Sequence, residues 1–351
     1  MLASAFYRMK RVYQKKQRLF TNPVRVLHGR ERAWRAPAVF LPEQLGKVQA
    51  VQEETTLTFE QARIFGGEVE HGATEVYHLH NAKVVNGYIY SDEGRVVVTP
   101  QRERGLALRT GLRVEKALLA SSYNGNRYFG HWLSDDCTRA LIGDVYGPPL
   151  FTGTRWTAHQ HDYRRMLGIE APPTEVVLVE TLSVIPDVGQ NAFKRQRLKM
   201  IREKMRLYPG QRCGHGVFIT RGTSGRRRLL RNEQQVADHL ARYGFDIVDP
   251  TKESLTQMMH KIKDAALVVG VEGSHLVHGV FAMAQGGALL TLQPPNRFNN
   301  VLKDLTDALG NRYGFVVGDA RGDDFEIDIN AMMMTLDLMS QQMSPATVEI
   351  A

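Results

Sequence analysis

Cysteine is scarce in this chain of 351 residues, with only Cys137 and Cys213 present. The two thiols do not form a C-x-x-C pair, so they predict no cysteine metal site. Sparse cysteine favours reduced, buried thiols in a reducing compartment. The sequence also lacks an apolar run of about 18 residues and the apolar segment of a secretory signal, so we expect a soluble or peripheral protein in the cytoplasm.

Positive charge, by contrast, is in excess: 45 Lys and Arg face 37 Asp and Glu, which gives a net charge of +8. Much of it lies in a basic N-terminal arm, residues 1–37, which also carries aromatic side chains such as Phe20 and Trp34. Such a segment suits an anionic membrane surface or a phosphate group. A solvated arm packed on its own domain is an equal alternative. The arm therefore leaves peripheral contact with the inner membrane face open.

The basic composition, with a pI near 9.4, also raises the alternative of a non-catalytic protein that binds nucleotide or nucleic acid. The sequence carries no zinc finger, no helix-turn-helix pattern and no RNA motif with interleaved aromatic residues. We therefore expect no nucleic-acid partner.

The length predicts more than one domain, because a single domain usually has about 100–200 residues. A basic helix predicted from Phe193 to Leu207 ends at Tyr208-Pro209-Gly210, which marks a boundary. We therefore divide the chain into the arm at 1–37, an N-terminal α/β domain at 38–208, a C-terminal domain at 209–330 and a Met-rich tail at 331–351. Core packing or helix capping is the expected role of the tail.

Within the N-terminal domain, short strands and turns precede helices. Apolar and polar residues alternate at 84–90 and 95–99, which predicts strands. A helix is predicted over 130–141 and a further strand over 175–179. The domain is thus a mixture of strands and helices.

The C-terminal domain alternates strands with helices. The predicted elements are strands at 216–220, 245–248, 266–270 and 288–292, with helices at 232–243, 254–265, 280–284 and 301–309. This alternation predicts a parallel, doubly wound sheet. Ligands bind beyond the carboxyl ends of such strands, so the residues after Thr220, Gly270 and Leu292 are candidates for a site.

The first candidate segment begins with Arg221 at a strand end and continues through a glycine-containing loop to Arg227 and Arg228. Asn232 then opens a helix. Glycine lets the loop bend towards a ligand, helix N-terminal amides attract anions, and guanidinium groups bind phosphate oxygens in pairs. The segment is typical of a pyrophosphate site, and a charged surface loop is the alternative.

The second candidate segment, 270–279, also follows a buried strand. Gly273 allows a substrate to approach the backbone, and the neighbouring side chains offer acid, base and hydrogen-bonding groups. These side chains are Glu272, Ser274, His275 and His278. The two histidines lie three residues apart, as metal ligands can, but no third ligand is evident nearby.

Two further residues complete the candidate set. Arg297 follows a strand end in a proline-rich loop and is placed either to contact phosphate or simply to lie in a rigid turn. His131 and Asp135 lie four residues apart on a predicted helix, so the carboxylate can orient or charge the imidazole. A structurally satisfied histidine beside Trp132 is the alternative.

The order of these motifs resembles one family, the glycosyltransferase 61 (GT61) type, over about residues 123–315. The early Phe/Tyr-x-His-Trp-Leu element of that family resembles 129–133. Its strand-Arg, basic-loop and Asn-Glu element resembles 219–233, and its Gly-Phe-x-Ile-Val element resembles 244–248. Its late glycine-rich turn resembles 270–278, except that a glutamate stands here where the family has a histidine.

The resemblance implies a GT-B-like α/β fold of two facing Rossmann-like, doubly wound domains. The C-terminal domain would hold the nucleotide sugar and the N-terminal domain the acceptor. It also implies a transferase of the hexosyl or pentosyl kind that inverts the anomeric centre, in capsule or other polysaccharide biosynthesis. No cofactor or metal is expected, with a UDP-linked sugar as co-substrate and a glycan or glycoconjugate as acceptor. The sequence lacks the Asp-x-Asp pattern of metal-dependent sugar transfer.

On this interpretation the catalytic candidates are Glu272, His131 and Asp135. Glu272 or Asp135 would act as the base, and His131 would orient the acceptor or the base. The donor-binding candidates are Arg221, Arg227, Arg228, Asn232, Gly273, Ser274, His275, His278 and Arg297. A nucleotide-sugar epimerase of GT-B form is the alternative that keeps the fold and changes the chemistry.

Overall fold

A computed structural model describes residues 20–101, 111–152, 156–170, 173–208, 216–222 and 228–343. These residues form two compact units. Of the described residues, the first unit comprises those up to Glu31 and within His71–Arg197, and the second comprises those within Arg32–Glu70 and from Leu198 onward. Within the described ranges, no helix combines the length and the apolar character that crossing a membrane requires.

The strands are β1 (Arg25–His28), β2 (Glu31–Arg35), β3 (Gly67–His71), β4 (Thr74–Val85), β5 (Tyr88–Ser91), β6 (Gly94–Val97), β7 (Leu112–Leu119), β8 (Pro149–Thr152), β9 (Pro173–Thr174), β10 (Val176–Val184), β11 (Gly216–Ile219), β12 (Asp246–Val248), β13 (Leu267–Val271), β14 (Ala288–Gln293), β15 (Arg312–Val317), β16 (Asp319–Arg321) and β17 (Asp324–Glu326).

The α-helices are α1 (Leu57–Phe65), α2 (Phe129–His131), α3 (Cys137–Ala140), α4 (Ala158–Leu167), α5 (Ala192–Arg206), α6 (Glu233–Arg242), α7 (Leu255–Ile262), α8 (Val277–Ala282), α9 (Val301–Leu309) and α10 (Ile329–Gln341). A π-helical turn, Trp132–Asp136, joins α2 to α3. Short 3-10 turns lie at Pro42–Lys47, Asp144–Tyr146 and Ser274–Leu276.

The first unit is built on a mixed sheet in the order β6-β5-β4-β10-β7-β8-β9, with β1 also paired to β4. The strands β10, β7, β8 and β9 are parallel, whereas β1, β4, β5 and β6 pair in an antiparallel manner. The expectation of a doubly wound parallel sheet is therefore wrong for this unit. Antiparallel hairpins, which need only short connections, replace part of the strand–helix alternation.

The strand predicted over 84–90 is in fact a hairpin. Asn86 and Gly87 have φ values of 45° and 82° and form the turn between β4 and β5. Both residue types adopt positive φ readily, and Asn-Gly is a strong signal for a two-residue hairpin turn. The alternation of apolar residues continued across the turn and concealed it.

The second unit contains a parallel sheet in the order β12-β11-β13-β14-β15. The predicted parallel sheet is thus confirmed here. Its central strands β11, β13 and β14 are mainly apolar and almost fully buried, as expected for strands covered on both faces. After β11 the chain adds β12 on one side of it and then β13 on the other side. The carboxyl ends of β11 and β13 therefore form the switch point at which such sheets bind ligands.

Residues 32–70 cluster with the second unit, whereas sequence reasoning placed residues 38–70 in the N-terminal domain. The backbone N–H of Val39 donates to Tyr313, and the ring of Phe40 stacks on Phe315 at 4.7 Å. The helix α10 contributes Met332 to the same core as Val39, which is the packing role expected of the Met-rich tail. These contacts join residues far apart in the chain, so local patterns do not reveal them.

Candidate functional site

The switch point of the second unit carries charged side chains on both of its strands. Arg221 follows β11 after one intervening residue, and Glu272 follows β13 directly. Parallel pairing sets Ile219 beside Gly270, which brings the two loops together. Sequence reasoning placed both residues at strand ends, and the structure brings them into contact.

Three arginines surround Glu272, and we call Arg221, Arg228 and Arg297 the arginine cluster. Arg228 Nη2 donates to Glu272 Oε2 at 2.8 Å and to the Glu272 carbonyl oxygen at 2.9 Å. Arg297 Nη1 donates to the same Oε2 at 3.2 Å, and Arg221 Nη1 donates to the carbonyl at 3.4 Å. The predicted donor-binding arginines 221, 228 and 297 therefore converge on Glu272, two of them on its carboxylate and Arg221 on its backbone carbonyl.

The arginine cluster is largely withdrawn from solvent. The exposed fraction is 6% for Arg221, 6% for Arg228 and 4% for Glu272. Burial lowers the pKa of Arg221, and the nearby Glu272 carboxylate partly opposes that shift. The three guanidinium groups face two carboxylates, Glu272 within the cluster and Glu233 beside Arg221. Such a concentration of guanidinium groups favours an anion nearby.

A second carboxylate orders the backbone of the loop. Glu233 Oε1 accepts a hydrogen bond from the Arg221 amide at 2.7 Å, and its Oε2 accepts one from the Gly222 amide at 2.9 Å. These bonds hold the start of the loop against the first turn of α6. They leave the Arg221 guanidinium to the arginine cluster.

The turn after β13 places an uncharged histidine beside the guanidinium groups. Burial, together with Arg221 and Arg228, lowers the pKa of His275 to about 3, so its imidazole is neutral near pH 7. Its Nε2 atom is buried without a hydrogen-bond partner in the described part of the chain. The ring is therefore placed to donate or accept one hydrogen bond near the arginine cluster.

Gly273 lies where a larger residue would collide with the site. A Cβ atom built there would stand 2.5 Å from Arg221 Nη1 and 3.0 Å from His275 Nδ1. Ser274 begins the 3-10 turn that follows, and His278 is buried in α8. The sequence predicted that a substrate would approach the backbone at Gly273. In the structure the Arg221 side chain lies close to the backbone there.

Two predicted donor-binding residues have a different status. The side-chain amide of Asn232 donates to the Ile327 carbonyl at 2.8 Å and accepts from the Ile327 amide at 3.1 Å. Both polar ends of Asn232 therefore tie α6 to the segment before α10, which favours a structural role. Arg227 and the glycine-containing loop at 223–227 lie outside the described residues.

The first unit carries a separate group of catalytic candidates. His131 Nδ1 lies 2.6 Å from Asp135 Oδ2, as the spacing of four residues predicted. Lys194, on α5, donates to the other oxygen of Asp135 at 2.5 Å. Burial opposes the effect, but Lys194 and His131 hold the pKa of Asp135 well below its usual range. Asp135 is therefore an ionised carboxylate with both oxygens engaged.

Asp136, the next residue, has the opposite behaviour. Its Oδ1 accepts from Ser122 at 2.6 Å and from Arg139 at 2.9 Å, while Oδ2 is buried with no partner among the described residues. Burial raises the pKa of Asp136 to about 7, despite the opposing effect of Arg139. Two adjacent aspartates thus differ in charge state because only one of them is compensated in full.

Sequence reasoning missed Lys194. It belongs to a basic helix whose other lysines and arginines conceal it, and it lies 59 residues from its partner Asp135. Its exposed fraction is 1%, and burial of an ammonium group requires a partner. The sequence of α5 contains many basic residues, and nothing in it distinguishes Lys194 from the others.

The described residues include no group of three or more His, Cys, Asp and Glu side chains that could hold a metal ion. Metal independence of the reaction stays a prediction. The class is thus an α/β protein whose arginine cluster lies at the switch point of a parallel sheet, where such proteins bind their ligands.

Comparison with known families specifies this class further. Residues 129–290 match the model of the family described as glycosyltransferase 61. The match includes His131 and Asp135 in the first unit and Arg221 to His278 in the second. It confirms the resemblance predicted from the motifs and supports glycosyltransferase activity with a sugar donor and an acceptor. No curated protein matches the chain.

Two solved structures resemble the chain at low sequence identity. A flavo di-iron protein mutant from Thermotoga maritima has a TM-score of 0.27 and 9% identity, over 60% of this chain and 52% of that one. An alcohol dehydrogenase from the same organism has a TM-score of 0.21 and 12% identity, over 79% of this chain and 68% of that one. The chain thus spans about half the length of the flavo di-iron protein. Scores this low carry no argument about function.

Proposed function

We propose that the chain transfers a sugar from a UDP-linked donor to a glycan or glycoconjugate acceptor in polysaccharide biosynthesis, with inversion and without a metal. The enzyme is of the GT-B kind, with the donor held by the second unit and the acceptor by the first. The arginine cluster around Glu272 is the observation that carries the proposal. The proposal also places the reaction in the cytoplasm, with peripheral contact at the inner membrane face.

The chemistry of the donor explains why an arginine cluster is suited to it. When the bond between the anomeric carbon and the diphosphate breaks, negative charge accumulates on the leaving phosphate. Guanidinium groups bind phosphate oxygens through paired, charge-assisted hydrogen bonds, and preorganised donors in a dry site stabilise developing charge strongly. Arg221, Arg228 and Arg297 are preorganised in this sense, because Glu272 already holds them together.

The same geometry bears on the role of Glu272. One of its oxygens accepts from two guanidinium groups, so the carboxylate is committed to organising the arginine cluster. We propose that Glu272 positions the arginines, in place of the role of base that the sequence had raised as one option. The variant Glu272→Gln separates the two roles. Loss of donor affinity indicates positioning, and a fall in kcat at unchanged donor affinity indicates a base.

Transfer can be measured with purified protein, a panel of nucleotide sugars and a panel of glycan acceptors. Arg221→Ala is expected to raise the barrier by about 2–4 kcal/mol, which is roughly 30- to 1000-fold in rate. The matched control is Arg312→Ala, an exposed arginine at the start of β15. Near-normal transfer by Arg221→Ala, or an equal loss in the control, contradicts the phosphate assignment.

The same preparations distinguish the alternatives. An altered donor sugar in the absence of acceptor indicates an epimerase. Salt-sensitive retention on nucleic acid, without a change of melting temperature on addition of UDP, indicates a non-catalytic basic protein. Product that appears only with acceptor supports the transferase.

A further inference from the structure

We propose that His131 is the general base that deprotonates the acceptor hydroxyl, with Asp135 and Lys194 as its positioning residues. The inference rests on the proposed sugar transfer and adds the acceptor-side chemistry to it. It reverses the roles expected from the sequence, where Asp135 or Glu272 was the base and His131 the orienting group.

The hydrogen bond between His131 and Asp135 decides which ring nitrogen is available. Asp135 is ionised, so Nδ1 at 2.6 Å from its Oδ2 must carry the proton and donate it. The neutral imidazole then has Nε2 as its accepting atom. A carboxylate behind Nδ1 both fixes this tautomer and stabilises the imidazolium that forms when Nε2 takes a proton.

Lys194 holds Asp135 in place within the hydrogen-bonded pair of His131 and Asp135, which we call the dyad. Its ammonium group bonds Asp135 Oδ1 at 2.5 Å and the Asp187 carbonyl at 2.9 Å. The Asp187 carboxylate is itself paired with Arg197 at 2.8 Å, in a fully buried setting. The Lys194 side chain is 1% exposed and donates hydrogen bonds to two oxygen atoms, so its position is fixed. Asp135 therefore keeps one orientation towards the imidazole.

The local backbone is unusual at the same point. The segment Trp132–Asp136 is a π-helical turn, in which the Cys137 amide donates to the Trp132 carbonyl five residues earlier. Such wide turns occur often at functional sites. The turn carries Asp135 and follows His131 directly, so this irregular backbone lies between the two members of the dyad.

The proposed step balances as follows. The proton of the acceptor hydroxyl passes to Nε2 of His131 while the acceptor oxygen forms a bond to the anomeric carbon. The bond from that carbon to the diphosphate oxygen breaks, and its electron pair leaves with the nucleoside diphosphate. The imidazolium, paired with Asp135, returns its proton to solvent.

The first test compares His131→Ala with a matched control. The control is His80→Ala, which removes an exposed histidine whose Nδ1 lies 2.5 Å from Glu93. His131→Ala is expected to lower kcat on the order of 10²–10⁴-fold, the usual contribution of a general base. The Kd of His131→Ala for UDP is expected to stay within about twofold of the wild-type value. The kcat of His80→Ala is likewise expected to stay within about twofold of the wild-type kcat.

The positioning roles have their own readout in the pH profile of kcat. Burial acts to lower the pKa of His131, but the hydrogen bond and charge of Asp135 outweigh it, so the pKa is raised. The charge of Lys194 opposes this rise, and that of Asp136 adds to it. Because the base must be neutral, the rate of the wild type rises with pH through that pKa. In Asp135→Asn the pKa of His131 falls, so the acid limb moves to lower pH while kcat drops.

Lys194→Arg keeps the positive charge at this position and Lys194→Met removes it. A comparison of the two variants therefore distinguishes an effect of the lost charge on catalysis from a general loss of folding. We expect Lys194→Arg to fold, with a lower kcat and an unchanged Kd for UDP. His131→Ala with more than a tenth of wild-type kcat, or an acid limb that stays in place in Asp135→Asn, overturns the inference. If the wild type itself transfers no sugar from any donor, the proposed function fails instead.

Discussion

Alanine at position 273 moves one side chain of the arginine cluster without changing any charge. The added Cβ atom would lie 2.5 Å from Arg221 Nη1, whereas ordinary contacts of a Cβ atom begin at 3.4 Å. The interior is close-packed, so the end of the arginine must shift by about 1 Å to make room. Gly273→Ala therefore mainly displaces the Arg221 guanidinium group, with a smaller shift of the His275 ring, whose Nδ1 would lie 3.0 Å from the new atom.

The size of the effect follows from one charge-assisted hydrogen bond. Such a bond contributes about 1.5–3 kcal/mol. Its loss weakens binding roughly 10- to 150-fold, because each 1.4 kcal/mol is a factor of ten in Kd. The rate is expected to fall by at least as much, because a misplacement of about 1 Å can cost on the order of 10²-fold.

Calorimetric titration with UDP measures this change directly. The matched control is Gly46→Ala, where an added Cβ atom meets nothing within 4 Å. Both variants are expected to show the thermal unfolding of a folded protein, and only Gly273→Ala is expected to bind UDP weakly. Wild-type affinity in folded Gly273→Ala would refute the assignment of the diphosphate to the arginine cluster.

Three further predictions concern stability. Arg228→Met removes one partner of the buried Glu272 carboxylate and is expected to lower the free energy of unfolding by about 3 kcal/mol in urea, and an unchanged midpoint would contradict the ion pair. Burial raises the pKa of Asp136 from 3.8 to about 7, so between those pH values the folded state holds a proton that the unfolded chain has released. The free energy of unfolding is therefore expected to fall as pH rises through that window, and Asp136→Asn should flatten the slope. Gly125→Ala would set a Cβ atom 1.9 Å from Asp136 Oδ2, so we expect a loss of roughly 1–3 kcal/mol, whereas Gly29→Ala, with open space around it, should change little.

The second unit was the part of the fold most open to sequence reasoning. Its central strands, β11, β13 and β14, are almost fully buried and mainly apolar, and helices lie between them along the chain. That pattern located the strand ends, and the strand ends located Arg221 and Glu272. The contact between these two residues follows from parallel pairing alone.

What sequence reasoning missed depends on contacts between distant residues. The pairing of Val39 with the β15 region assigns residues 32–70 to the second unit, yet it joins segments more than two hundred residues apart. The burial of Lys194 against Asp135 is equally nonlocal. The ion pairs of Glu272 with Arg228 and Arg297 likewise appear only in three dimensions, because these residues are 44 and 25 positions away along the chain.

The most direct measurement is a phosphate series with the wild type and Arg221→Ala. Uridine, UMP and UDP are titrated at one fixed salt concentration, so that the only variable in the ligand is phosphate charge. The account predicts that affinity rises with each phosphate in the wild type and that Arg221→Ala loses most of this rise while binding uridine unchanged. Equal affinities of the wild type for uridine and UDP would contradict it.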